Sequence, residues 1–148
     1  MLAQIFIGVA LVVATVLVHA ITLELILKAF LAVRRDVLAR WRTLVFSLVI
    51  MGVLVSHLIE ASIWAVYYYV NPAITEIPTM EAALYFSISC FTTVGFGDVV
   101  LSEDWRLLSS IESINGMIFF GWSTAFIFEI VRLIYVQIYP DDRETSVA

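Results

Sequence analysis

The sequence is poor in charge, with charged side chains making up 14% of its 148 residues. Soluble globular chains carry about a quarter, so an ordinary soluble domain is excluded. The lone cysteine, Cys90, rules out an intramolecular disulfide and reads as a small buried apolar residue. No cysteine–histidine zinc spacing, phosphate-cradling glycine-rich loop or catalytic triad pattern occurs. The chain is therefore not expected to be an enzyme. It has no internal repeat and no low-complexity tract. The first apolar run lacks a ladder of arginines at every third position, which argues against voltage sensing of the usual kind.

Apolar residues are abundant, at 62% of the chain, and the mean hydropathy is +1.01. A membrane helix needs about 20 mostly apolar residues, and the runs 5–30, 44–70 and 107–139 qualify. A fourth run, 80–91, is too short: about 12 residues at 1.5 Å each cover roughly 18 Å. It suits a re-entrant helix, with Thr79 as N-cap and Glu81 in its first turn. Asn71-Pro72 should end the second span, and Ser102 should cap the third, placing Glu103 and Asp104 in its first turn. The first run lacks a basic leader and is longer than a signal-peptide core. It reads as an uncleaved helix, although Val18-His19-Ala20 weakly matches a cleavage site.

Lys28, Arg34, Arg35, Arg40 and Arg42 crowd the link between the first two spans, and Arg132 and Arg143 lie at the end of the third. The positive-inside rule puts that link and the C-terminus in the cytoplasm and the N-terminus outside. Trp41 and Tyr67, Tyr68 and Tyr69 sit where interfacial aromatics belong. Glu76, Glu81, Asp98, Glu103 and Asp104 then fall on the external side. They either concentrate cations at an entrance or are ordinary capping and solvated residues.

Between the second and third spans the chain reads Thr92-Thr93-Val94-Gly95-Phe96-Gly97-Asp98. Gly95 and Gly97 permit unusual backbone angles because they lack a Cβ. The motif resembles the selectivity filter of potassium channels, and residues 41–139 resemble the two-helix pore module of that family. The resemblance implies that carbonyls of Thr93, Val94, Gly95 and Phe96, with the Thr93 hydroxyl, replace the water around potassium ions. Gly97 completes the motif, and Val94 and Phe96 would wedge the filter from behind. An external filter agrees with the orientation given by the basic residues.

The expected fold is an all-α membrane protein: three transmembrane helices, a re-entrant pore helix and a filter loop, assembled as a tetramer. The expected parts are an extra N-terminal helix at 1–33, a cytoplasmic basic link at 34–43 that forms a short helix or turn at the membrane surface, and a pore domain at 44–139. The pore domain divides into outer helix 44–70, pore helix 79–91, filter 92–98 and inner helix 103–139. A short cytoplasmic tail, 140–148, leaves no room for a ligand-binding domain. The expected function is passive, potassium-selective conduction across a plasma or inner membrane. The rival readings are a weakly selective cation channel and a non-conducting regulatory subunit. Expected partners are potassium ions, lipid, three further copies of the chain and a regulatory partner yet to be identified. No nucleic acid and no cofactor beyond filter ions are expected.

Thr92, Asp98, Tyr85, Phe86 and Ser89 are the expected filter supports. The best-known small bacterial channels carry a tryptophan pair and a glutamate at the last three of these positions. Phe86 cannot donate a hydrogen bond and Ser89 carries no charge, so Asp98 needs Tyr85, Trp105 or water. Gly116 and Gly121 are either a gating hinge or close-packing positions, with Gly116 the better hinge candidate. Met117, Gly121, Thr124, Phe128 and Val131 share one helical stripe. It either lines an inner constriction at Thr124 and Phe128 or packs on the outer helix. Ionisable groups inside the spans include Glu24, Glu112 and Glu129, the last of which could draw potassium or pair with Arg132. His19, His57 and Glu60 should lie at one depth, either docking the first helix or sensing pH.

Overall fold

The computed structural model describes residues 2–138. The described chain forms four helices: α1 (Leu2–Leu31), α2 (Arg35–Val70), α3 (Met80–Phe91) and α4 (Arg106–Ile138). Three of them, α1, α2 and α4, are long and apolar enough to cross a membrane, and α3 is too short. The chain is thus an all-α, multi-pass membrane protein, with no strand among the described residues.

A turn at 32–34 joins α1 to α2, so the two run antiparallel. No proline or glycine lies between 35 and 44, and nothing there stops a helix. The expected separate link at 34–43 is consequently the first turns of α2, set off only by a kink at Trp41 (φ −119°, ψ 24°). Leu38 of that segment is completely buried against Phe30, Val49, Ile130 and Ile134. The basic end is therefore packed rather than loose. Asn71 ends α2 as expected: its N–H reaches the Tyr67 carbonyl at 3.2 Å, and its side-chain oxygen accepts from Ala73 N–H at 3.1 Å.

Thr79 caps α3, its hydroxyl oxygen accepting from Ala82 N–H at 3.1 Å. The start of α4 differs from expectation. The helix begins at Arg106 rather than 103, and Glu103 and Asp104 form a turn before it. The Ser102 carbonyl, not its hydroxyl, takes the Trp105 and Arg106 N–H groups, both at 2.9 Å. Ser102 N–H is itself held by Glu76 Oε1 at 3.0 Å, which ties this turn to the loop before α3. The end of the expected inner helix at 139, Arg143 and the tail 140–148 lie outside the described residues.

Hydrophobic packing contributes little to helix association in lipid, where tails are as apolar as leucine. Small residues and hydrogen bonds take its place. Glu112 of α4 is fully buried; Tyr68 of α2 donates to it at 2.8 Å. Ser87 of α3 faces the same carboxyl and donates to the Ala61 carbonyl of α2 at 2.6 Å. Asn115 donates to Thr15 of α1 at 2.8 Å. Gly8 lies against Ile111 and Leu108, so α1 packs against α4 of its own chain.

Gly116 marks the closest approach. A Cβ there would overlap the Phe91 carbonyl group at the end of α3, its carbon only 2.8 Å away. Gly121 has open space around it. Gly116→Ala is expected to cost about 1–3 kcal/mol through overpacking, whereas Gly121→Ala should be tolerated. Thermal unfolding of the two purified variants beside the parent checks this, and equal melting temperatures would refute it.

Candidate functional site

The last turn of α3 and the loop after it form one unit. Thr92 closes the helix, its N–H bonded to the Ile88 carbonyl at 3.0 Å and its hydroxyl donating to the same oxygen at 2.7 Å. The backbone then alternates in hand. Thr93, Gly95 and Gly97 all have positive φ, at 60°, 55° and 77°. Glycine adopts such angles freely, but a β-branched threonine there is strained. The motif's glycines foretold two of the three left-handed positions; Thr93 carried no such signal.

Hydrogen bonds show where this backbone points. Gly95 N–H donates to the Ser89 carbonyl at 3.1 Å, and Phe96 N–H donates to the Ser89 hydroxyl at 3.3 Å. A trans peptide sets its C=O opposite its N–H. The carbonyls of Val94 and Gly95 therefore both point away from α3, toward the open side of the protomer. Thr93 N–H turns back to the Cys90 carbonyl at 2.9 Å, which aims the Thr92 carbonyl away from that residue. Ser89, nearly buried, thus holds two successive N–H groups from behind.

Asp98 meets Tyr85, whose hydroxyl donates to Asp98 Oδ2 at 2.8 Å. The Asp98 carboxylate holds the Tyr85 proton and pushes that hydroxyl above its ordinary range. Phe96 stacks on the Tyr85 ring, 7° from parallel with centroids 6.0 Å apart. Phe86 makes no polar contact and packs edge-on against Tyr68. A cavity of about 160 Å³ lies between loop and helix, lined in part by Tyr85, Ser89 and Asp98. It is large enough for several waters.

On α4 the buried residues include Glu112, Asn115, Gly116, Phe119 and Ser123. The stripe Met117, Gly121, Thr124 and Phe128 lies bare in the protomer, with Phe128 71% exposed. Val131 is half-buried. Glu129 pairs with Arg132 of its own chain at 2.8 Å, and Glu24 with Lys28 at 2.6 Å. His19, His57 and Glu60 come together in the middle of the helix bundle, with His19 Nδ1 2.7 Å from Glu60 Oε1. Sequence reasoning did not single out Ser123, which joins this cluster from α4, or the partners of Glu112. Their spacing carries no periodic signal, because each lies on a different helix.

A short re-entrant helix, a loop of alternating backbone hand and two flanking spans define a pore-loop membrane channel. A family model described as ion channel matches residues 52–132, more than half of the chain, and the chain belongs to that family. The match runs from within α2 to near the end of α4, and α1 lies outside it. No curated protein and no solved structure matches the chain.

Tyr85→Phe removes the bond to Asp98 and keeps the ring stack on Phe96. Single-channel recordings should show open lifetimes shortened about fivefold or more, as expected for loss of about 1–2 kcal/mol from a charge-assisted hydrogen bond. Unchanged lifetimes would mean that Asp98 is held by something else.

Proposed function

We propose that this channel conducts potassium ions selectively and passively, through a filter built where four copies of the chain meet on one axis. The observation that carries this reading is the backbone of 92–97, where the Thr93, Gly95 and Phe96 N–H groups are tied back to Cys90 and Ser89 while the Val94 and Gly95 carbonyls face the open side. Fourfold repetition turns each carbonyl into a ring of four oxygens, which can stand in for an ion's hydration shell. Thr93, Val94, Gly95 and Phe96 supply the ion-coordinating oxygens, with Gly97 allowing the last turn of the loop. Val94 and Phe96 are 56% and 66% exposed in the protomer. Exposure of that size beside a pore loop fits contact with neighbouring copies.

The remaining parts take their roles from this arrangement. The bare stripe of α4 lines the conduction path, and Phe128 narrows it near the basic end by excluding water. Gly121, with open space around it, is the better placed of the two glycines to bend. The basic residues at the α1–α2 turn put that end in the cytoplasm and the filter toward the outside. The α3 C-terminus then directs its partial negative charge toward the cavity, favouring a cation there.

Ion flux into liposomes bearing the purified channel tests the reading. Barium-sensitive flux of potassium and rubidium, with sodium far slower, is the expected result. Equal sodium flux would replace it with a weakly selective cation channel. A chain that stays monomeric, with no flux even as Phe128→Ala, would overturn conduction through this loop.

A further inference from the structure

The cluster at mid-membrane gathers three ligand-type side chains around a carboxylate with one oxygen that no donor meets among the described residues. His19 and Glu60 are completely buried and His57 is half-buried. Each offers one ligand atom, and the three atoms lie within 4.8 Å of one another. Glu60 Oε1 sits 2.7 Å from His19 Nδ1 and accepts from the Ser56 hydroxyl at 2.7 Å. Glu60 Oε2 is buried and has no hydrogen-bond partner among the described residues. On the other side, both imidazole Nε2 atoms converge on one hydroxyl. Ser123 Oγ of α4 is 3.0 Å from His57 and 3.4 Å from His19.

A serine hydroxyl can donate to one of those nitrogens and accept from the N–H of the other, so the unmet group of the cluster is Glu60 Oε2. A carboxyl oxygen without a donor, at membrane depth, is costly. Hydrogen bonds alone therefore leave the cluster under-satisfied, and a cation would relieve it. Two imidazoles and a carboxylate form a donor set that suits zinc and similar borderline divalent ions. Glu60 and His19 are already close enough to share one ion. Ser56 orients the carboxylate, as a partner behind a metal ligand does. The less buried His57 can close by rotation of its side chain, and Ser123, at the Nε2 edge of both rings, orients them from behind.

The geometry points to a zinc-type divalent-cation site formed by His19, His57 and Glu60, with Ser123 of α4 holding the imidazoles by their Nε2 edges. Its ligands come from α1 and α2 and the hydroxyl behind them from α4, so an occupied site bolts the N-terminal helix onto the pore module. The site stands apart from the filter, and its test does not depend on ion flux.

The test uses the full chain in lipid nanodiscs, stripped with a chelator and then titrated with zinc alone. One ion per chain is expected, with a rise in melting temperature as zinc is added. Glu60→Gln and His57→Gln, both close in shape to the parent residues, should each weaken zinc binding by about tenfold or more and abolish the thermal gain. Absence of stoichiometric binding, or an affinity in both variants equal to the parent's, would overturn the site and leave a hydrogen-bonded docking cluster. Should the variants fail to fold, zinc-edge X-ray absorption on the parent decides. Two imidazole nitrogens with oxygen ligands support the site, and fewer than two imidazoles refute it.

Discussion

A stretch of backbone that is neither helix nor closed barrel cannot lie bare in hydrocarbon, because every N–H and C=O must find a partner. Residues 92–98 are such a stretch, and the rest of the fold accommodates them. The Thr93, Gly95 and Phe96 N–H groups are answered by the turn behind them, through the Cys90 carbonyl, the Ser89 carbonyl and the Ser89 hydroxyl. The Val94 and Gly95 carbonyls have no protein donor among the described residues. Only water or a cation can answer carbonyls arranged in this way. In the proposed channel the structural deficit and the ion-binding site are the same set of atoms. The strain at Thr93 belongs to this arrangement, since alternating hand is what keeps successive carbonyls on one side.

The same shortage of hydrophobic driving force governs how the helices meet. Each depth of the bundle has its own polar tie. Tyr68, Ser87 and Glu112 join α2, α3 and α4 near the filter end. Thr15 and Asn115 join α1 to α4. His19, Glu60 and Ser123 join α1, α2 and α4 deeper still. Two of these three ties include α1, although the family match begins at residue 52. The N-terminal helix is therefore integrated with the pore module by specific side chains rather than resting against it through lipid-like contact.

Much of this was legible in the sequence because membrane spans and turn chemistry are local signals. The lengths of the apolar runs gave the three spanning helices and the short fourth, and Thr79 and Asn71-Pro72 gave two helix ends to the residue. Tyr85 was one of three named candidates to hold Asp98, and His19, His57 and Glu60 were grouped by depth. Residues 34–42 were read as a short helix or turn, and they form the helical start of α2, with its kink at Trp41. Ser89 was named among the filter supports, but the form of its brace depends on loop angles, not on side-chain charge. The misses were non-local. Ser102 is engaged by Glu76, 26 positions away, and this shifts the start of α4. Glu112 was visible as a misplaced carboxylate, but its partners lie on two other helices.

The contact at Gly116 bears on where the channel can move. The α3 C-terminus, from which the filter springs, is held to α4 twice. Gly116 lies directly under the Phe91 carbonyl, and the Ser113 hydroxyl donates to the Cys90 carbonyl at 2.8 Å. A bend of α4 at Gly116 would drag the base of the filter with it, since packed interfaces shift between discrete arrangements instead of stretching. Below that point the constraint falls away: a Cβ at Gly121 would meet nothing within 4 Å, and Thr124 and Phe128 are bare. Ser123, in the cluster with His19 and Glu60, lies two residues beyond Gly121 and on the opposite, buried face. In the proposed channel, the segment of α4 free to bend is therefore bounded above by the filter contact and flanked by the polar cluster. Whatever occupies that cluster acts at the place where the inner helix is least restrained.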